Sequence, residues 1–181
     1  MNILLLGIIG SGKSTIGARL AQLLSYRFIE LDDVVLEHTG LGSVDEIYEH
    51  KSSFWKECEL EISKDMSLDD TQVIACGGGF ADNALNILYF QEHNPVHVIY
   101  LHTSPKTLSH RLLSDMDQER LAHHELTDKM SELYGKRDAL YRLYANTVVE
   151  TDGREVKEIV RDIRDQLERL LAQTSSIDKD E

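Results

Sequence analysis

The sequence predicts an α/β fold in three layers, with helices on both faces of a five-stranded parallel sheet. Short apolar runs alternate with segments of helical periodicity along the chain, and this alternation favours parallel strands joined by crossover helices. The first run, Asn2–Leu6, is almost entirely apolar, which is the pattern of a strand covered on both faces. A glycine-rich loop follows directly, at the sheet edge where ligands bind in this class of fold.

Four further strands and several helices complete the predicted pattern. The strands are expected at 27–31, 72–76, 96–101 and 147–150. The helices are expected at 14–24, 53–66, 82–91, 125–144 and from Val156 onward, with a short one that stops at Gly40 and another that begins at Ser104 and Pro105. Ser104 is a suitable N-cap and proline suits the first turn. Asp82 is expected to cap its helix, and the polar segment 116–124 is expected to be a mobile connection.

Length and composition indicate one globular domain, at 1–172, followed by a polar, frayed tail at 173–181. The chain has 181 residues, of which 41% are hydrophobic and 28% charged, an ordinary soluble profile. Two cysteines are too few for a disulfide scaffold and lack metal-ligand spacing, so we expect a reduced, cytoplasmic setting. The apolar start is interrupted by Gly7 and has no basic flank, which argues against a signal peptide or a membrane span.

The net charge of −13 argues against a nucleic-acid surface, because phosphate backbones attract lysine and arginine. It does not exclude a small anionic ligand, since a few local cations and backbone amides can hold a nucleotide.

The glycine-rich loop has the P-loop pattern G-x-x-x-x-G-K-[ST]. Residues 7–14 are GIIGSGKS, between a predicted strand and an amphipathic helix. In such loops backbone N–H groups and the helix N-terminus surround phosphates, the lysine reaches the β- and γ-phosphates, and the serine hydroxyl contacts Mg²⁺. The strand–loop–helix context favours nucleotide binding over a chance glycine-rich turn. The residues expected to bind the nucleotide here are Gly10, Ser11, Gly12, Lys13, Ser14 and Thr15.

Acidic residues follow the second predicted strand. Alternation within a strand would put Glu30 and Asp32 on the same side, facing the γ-phosphate. One carboxylate can then orient Mg²⁺ through water while the other accepts a proton from the attacking hydroxyl. The alternative is helix capping by Asp32 or Asp33.

Three consecutive glycines, Gly77, Gly78 and Gly79, follow the third predicted strand. They can form a flexible turn, but their position at the same sheet edge favours a backbone surface against which a compact acceptor lies.

Three arginines, Arg111, Arg120 and Arg137, lie in or beside the polar stretch after the fourth predicted strand. Planar guanidinium groups suit phosphate and carboxylate recognition and stack on adenine. The alternative for each is a solvated helix face, and for Arg137 an internal salt bridge.

In order and spacing these motifs resemble those of the shikimate kinases, within the nucleoside-monophosphate-kinase-like P-loop kinases. The shared landmarks are GSGKSTIG at 10–17, the acids Glu30 and Asp32, EHTG at 37–40, EIY at 46–48, the triple glycine and RDALY at 137–141. The resemblance runs from Met1 to about Leu171. It implies a three-layer P-loop kinase fold with an acceptor-binding part at about 33–66 and a mobile lid at about 115–125. It further implies phosphorylation of shikimate by ATP with Mg²⁺, in aromatic amino-acid biosynthesis, by a monomer.

The resemblance also implies a role for each matching residue. On the nucleotide side, Lys13 bridges the phosphates, Glu30 acts near Mg²⁺ with Ser14, and Arg111 lies near adenine. On the acceptor side, Asp32 contacts the acceptor hydroxyls and is the base, Gly77 to Gly79 line the pocket, and Arg137 binds the acceptor carboxylate. Arg120 is the lid arginine. Together these assignments describe a complete phosphotransferase site.

Two segments depart from the family pattern. The segment that is usually Gly-Glu-x-x-Phe-Arg is KSSFWK at 51–56. Aligning Trp55 with the phenylalanine puts Lys56 at the place of a carboxylate-binding arginine and keeps Glu59 in register, whereas aligning Phe54 puts Trp55 there and leaves no cation. A lysine binds a carboxylate as a point charge, without the bidentate fork. The lid segment, usually Arg-Pro-Leu-Leu, is RLAH at 120–123.

Two other functions remain open from the sequence. One is a kinase of another small polyol or hydroxy acid such as gluconate, although the His-Pro-x-x-Asn segment of gluconate kinases is missing. The other is a non-catalytic nucleotide-binding relative, which the presence of Lys13, Ser14, Glu30 and Asp32 argues against.

Overall fold

The computed structural model describes residues 1–40, 52–65, 71–93, 96–115 and 123–177. Within them a five-stranded sheet has the strand order β2-β3-β1-β4-β5, and every pairing is parallel. The strands are β1 (Asn2–Leu6), β2 (Arg27–Glu30), β3 (Gln72–Ala75), β4 (Val96–His102) and β5 (Thr147–Glu150). The predicted parallel sheet is therefore confirmed, with strand ends that differ from the prediction by at most one residue.

Helices follow the strands in the predicted order. They are α1 (Lys13–Leu24), α2 (Leu31–Thr39), α3 (Ser52–Asp65), α4 (Ala84–His93), α5 (Pro105–Asp115), α6 (His123–Tyr144) and α7 (Val156–Ile177), with a short 3₁₀ turn at Phe80–Asp82. Helix α7 continues to Ile177, whereas the sequence predicted a frayed tail from Gln173. Among the described residues, none of the helices combines the length and the apolar composition needed to cross a membrane.

The central strand β1 separates two apolar cores. Its residues point alternately to the two faces of the sheet. Ile3 and Leu5 pack with residues of α1 and α7. Leu4 and Leu6 pack with residues of α2 through α6, including the buried Trp55 of α3. Both faces of the sheet are thus covered, as the almost entirely apolar sequence of β1 predicts.

Strand β2 is shorter than predicted, and this changes the geometry of the acidic residues. The strand ends at Glu30, and α2 begins at Leu31. Asp32 and Asp33 therefore lie in the first turn of a helix, where negative charge is favoured by the helix dipole. The prediction that strand alternation aligns Glu30 with Asp32 is wrong. The alternative of capping by Asp32 or Asp33 is also wrong, because the N-cap position is Glu30 and has no side-chain cap bond.

Two of the predicted helix ends are confirmed and one is wrong. The backbone N–H of Thr107 donates to Ser104 Oγ at 3.3 Å, so the predicted start of α5 is confirmed. Asp82 does not cap α4, because the chain first forms the 3₁₀ turn and Asn83 then accepts the N–H of Leu85 at 3.2 Å. The predicted end of α2 is confirmed, since Gly40 has the left-handed φ of 67°.

Candidate active site

The P-loop connects β1 to α1 and has the backbone that its glycines predict. Gly10 and Gly12 have φ angles of 81° and 95°, a left-handed region that side chains disfavour. The N–H of Ser11 donates to Ile8 O at 3.0 Å, and the Ser11 side chain is buried. Ser14 and Thr15 are exposed in the first turn of α1, where helix N–H groups favour anions.

Lys13 lies inside the curve of this loop. Its Nζ donates to Gly7 O at 2.9 Å and to Ile8 O at 3.3 Å. Burial lowers the pKa of Lys13, while the carboxylates of Asp32 and Glu30 oppose that effect. The ammonium group is therefore held between the loop backbone and two acids.

Glu30 is hydrogen-bonded to the hydroxyl of Ser14. Burial raises the pKa of Glu30, and the bond from Ser14 opposes that rise. Within the described ranges there is no group of three or more His, Cys, Asp or Glu side chains that could hold a metal ion. Mg²⁺ usually needs fewer protein ligands, one or two oxygens together with phosphates and water. The Ser14 hydroxyl and the Glu30 carboxylate are such oxygens, so this pair fits Mg²⁺ bound with a nucleotide.

Asp32 lies beside the first residue of the triple glycine. Its Oδ1 is buried and has no hydrogen-bond partner among the described residues. A Cβ on Gly77 would lie 2.5 Å from that oxygen, so glycine is required for the two to approach this closely. Burial raises the pKa of Asp32, and Lys13 opposes the rise. A buried acceptor oxygen next to a bare backbone can accept the hydroxyl proton of a small molecule.

Glu59 is a site residue to which the sequence assigned no role. Its side chain is only 1% exposed, and it is hydrogen-bonded to Trp55, one turn earlier on α3. A Cβ on Gly77 would lie 3.2 Å from Glu59 Oε1. Burial, with added repulsion from Asp32, raises the pKa of Glu59 to about 7. The acid four residues after Trp55 was the available signal, but it could not reveal that both side chains are buried.

The structure places Trp55 and Lys56, two residues of the segment 51–56 that departs from the family pattern. Trp55 is buried in the core beneath the site, and Lys56 is exposed. The positive charge of Lys56 lowers the pKa of Glu59 somewhat, so Lys56 lies within electrostatic range of this carboxyl. Binding of an acceptor by Lys56 stays a prediction.

Arg137 lies on α6 and reaches the loop of three glycines. It donates from Nε and Nη2 to the two carboxylate oxygens of Asp82, at 3.1 Å and 2.8 Å. One turn further, Tyr141 OH donates to Gly78 O at 2.5 Å. The internal salt bridge that the sequence left open for Arg137 is therefore present, and its partner lies at the end of the glycine loop.

The remaining predicted residues lie around this centre or outside the described part. Arg111 of α5 donates to the carbonyls of Gly10 and Ser11 at 3.3 Å each, so it contacts the P-loop backbone. Its contact with adenine stays a prediction. Gly79 O accepts the N–H of Asp82 at 3.0 Å, which closes the 3₁₀ turn. Arg120 lies outside the described residues.

The geometry brings Lys13, Ser14 and Glu30 close to Asp32. Asp32 in turn adjoins the glycine loop, which Arg137 also reaches. A phosphoryl donor held by the P-loop would face a compact acceptor lying against the glycines. This arrangement suits transfer of a phosphoryl group, which depends on positioning and on compensation of charge.

Comparison with known proteins agrees with this geometry. The sequence model of the shikimate kinase family matches residues 9–168. A shikimate kinase of Rippkaea orientalis is 34% identical over 164 residues, 90% of this chain and 86% of that protein. A solved shikimate kinase from Acinetobacter baumannii in complex with shikimate has a TM-score of 0.79 and 27% identity, covering 95% of this chain and 93% of that chain. A gluconokinase from Sinorhizobium meliloti 1021 has a TM-score of 0.61 at 19% identity, covering 96% and 95%, and shares the fold alone. The chain belongs to the shikimate kinase family.

Proposed function

We propose that this protein transfers the γ-phosphoryl group of ATP to the 3-hydroxyl of shikimate, a step of aromatic amino-acid biosynthesis. The observation that carries the proposal is the buried Oδ1 of Asp32, which lies beside Gly77. Family membership and the likeness to an enzyme solved with shikimate support this choice of acceptor over gluconate.

Asp32 is the base in this proposal. Its carboxylate takes the proton of the attacking hydroxyl as the new oxygen–phosphorus bond forms and the bond from the γ-phosphorus to ADP breaks. The proximity of Lys13 favours the ionised carboxylate, because its charge opposes the rise in the pKa of Asp32. Lys13 also compensates charge on the transferred group.

Ser14 and Glu30 are the residues that would hold Mg²⁺, Ser14 directly and Glu30 through water. Bound together with ATP, Mg²⁺ would neutralise part of the negative charge of the phosphates. The Ser14–Glu30 hydrogen bond supports this assignment, because it holds the hydroxyl and the carboxylate next to each other.

The acceptor lies against Gly77, Gly78 and Gly79, with Arg137 and Lys56 as the cations for its carboxylate. Arg137 is supported by its contact with the end of the glycine loop, and Lys56 by its electrostatic effect on Glu59.

The nucleotide lies on the P-loop, residues 10–15, and Arg111 supports that loop through two carbonyls.

Arg120 closes over the transferred group as a lid residue, which excludes water as a competing acceptor. We further propose that the enzyme acts as a monomer in the cytoplasm, without nucleic acid or membrane. The two free cysteines suit a reducing compartment, and the net charge of −13 disfavours a nucleic-acid partner.

A coupled assay of ADP release with shikimate as acceptor tests the function. Asp32→Asn should lower kcat by about two orders of magnitude or more, as expected for loss of a general base, with unchanged affinity for ATP. The matched control is Asp33→Asn, the exposed neighbour in the same helical turn, which should retain turnover. The proposal would be overturned if the folded protein showed no shikimate-dependent turnover, whether it phosphorylated gluconate instead or phosphorylated neither compound.

A further inference from the structure

Asp82 and Arg137 form a bidentate pair between segments that are far apart in the chain. Asp82 ends the 3₁₀ turn after the glycine loop, and Arg137 lies in the second half of α6. The two hydrogen bonds, at 3.1 Å and 2.8 Å, are made by Nε and Nη2. The side chains are 16% exposed for Arg137 and 27% for Asp82, so the pair is only partly accessible to water. Two parallel bonds fix the plane of a guanidinium group as well as its position.

The pair holds the guanidinium against the surface where the acceptor is proposed to lie. A Cβ on Gly78 would lie 3.6 Å from Arg137 Nη1, the nitrogen that takes no part in the bonds to Asp82. Tyr141, one turn along the same helix, is bonded to Gly78 O. The charge of Arg137 also reaches Lys13, whose pKa it lowers. Arg137 thus lies beside the glycine loop and within electrostatic range of the phosphate-binding lysine.

We propose that Asp82 is a positioning residue, which holds Arg137 in the orientation that binds the carboxylate of the acceptor. This inference rests on the proposed function. A free arginine side chain has many rotamers, and ordering it on binding weakens the complex. Asp82 orders it beforehand, and it does so from the Nε side, so that the Nη1 end faces the glycine loop.

The competing explanation is that Asp82 occupies the place of the acceptor carboxylate and must be displaced. The two explanations predict opposite effects on KM. If Asp82 positions Arg137, its removal raises the KM for shikimate. If it competes, its removal lowers that KM. The side-on geometry favours positioning, because a second carboxylate can approach a guanidinium from a different edge.

The experiment compares wild type with Asp82→Asn and Asp82→Ala, each with shikimate and with its neutral methyl ester. We expect KM for shikimate to rise about three- to tenfold, the effect of ordering one long side chain on binding. The rise should be larger for alanine than for asparagine, which keeps one acceptor oxygen. The KM for the ester should stay within about twofold, because the ester offers Arg137 no carboxylate to bind. The KM for ATP and kcat should also stay within about twofold, because the change affects only binding of the acceptor. The matched control is Glu132→Gln, which breaks the exposed ion pair with Lys136 on the same helix and should change none of these constants.

An unchanged or lowered KM for shikimate would overturn the proposal, and so would equal rises for the acid and its ester. A parallel loss of kcat and ATP affinity would also overturn it, since that result indicates general distortion. A second measurement does not depend on turnover. The ¹⁵N NMR signal of Arg137 Nε–H in ligand-free protein should report slow hydrogen exchange in wild type and fast exchange in Asp82→Ala. If wild type does not phosphorylate shikimate, the proposed function fails, and equal exchange in the two proteins would separately refute positioning by Asp82.

Discussion

Glu59 is expected to make the stability of this protein depend on pH, and the substitution Glu59→Gln should remove that dependence. The carboxyl is buried, and desolvation of its charged form, with repulsion from Asp32 and Asp82, exceeds the stabilisation from Trp55 and Lys56. Glu59→Gln keeps the shape and an oxygen that can accept the Trp55 bond, but it has no charge at any pH. The variant therefore isolates the free energy of ionising this one side chain.

The sign and size of the effect follow from the pKa. The pKa of Glu59 is about 7 in the folded protein against an ordinary value of 4.5, so the folded state retains its proton to higher pH. The stability that this provides is fully present below about pH 4.5 and is lost as the pH rises through 7. Since each tenfold change in protonation is worth about 1.4 kcal/mol, the loss approaches roughly 3 kcal/mol above pH 8. The free energy of unfolding of Glu59→Gln minus that of wild type should rise by this amount between pH 4.5 and 8.

The assay is urea unfolding of the ligand-free protein at several pH values, followed by circular dichroism. A constant offset between the two proteins would report only the change of hydrogen bond, so the test is the change of the difference with pH. Glu61→Gln is the matched control, because Glu61 lies on the same helix and is exposed. A difference that stays flat between pH 5 and 8, or the same slope for Glu61→Gln, would show that ionisation of Glu59 does not cause the pH dependence.

Three glycine substitutions test other contacts. Gly77→Ala places a Cβ 2.5 Å from Asp32 Oδ1, so displacement of the base should lower kcat about a hundredfold. The affinity for ATP, measured by calorimetry, should not change. A variant with the kcat of wild type would contradict this contact. Gly17→Ala places a Cβ 2.6 Å from Phe28 Cε2 and should lower the free energy of urea unfolding by about 1–3 kcal/mol. Gly135→Ala meets no atom within 4 Å at an exposed position of α6 and should raise the free energy of unfolding by about 0.5–1 kcal/mol. Changes of the same sign in these two variants would contradict the steric explanation.

Features that depend on neighbouring residues were predictable from the sequence. The P-loop, the alternation of strands and helices, and the start of α5 at Ser104 and Pro105 follow from local spacing and backbone preference. The parallel sheet follows as well, because the almost entirely apolar strand Asn2–Leu6 has to be covered on both faces. Strand ends depend on packing as well as on local sequence, and the end of β2 at Glu30 contradicts the expected alternation of the acids.

The position of Asp32 shows the limit of such reasoning. Its place near Lys13 was expected from a strand but is reached from the first turn of α2. Both geometries fit the same residues, since an acid that follows a strand can end the strand or begin a helix. Only the packing of α2 against the sheet decides between them.

Local sequence patterns were enough to predict phosphate binding at the edge of a parallel sheet and to name the acids and arginines available for chemistry. Which of these side chains meet depends on tertiary contacts. The tertiary structure paired Arg137 with Asp82, 55 residues away, and it buried Glu59 so that its pKa rises to about 7. The physical reason is that burial and ion pairing depend on segments brought together by folding, whereas turns, caps and periodicity depend on residues a few positions apart.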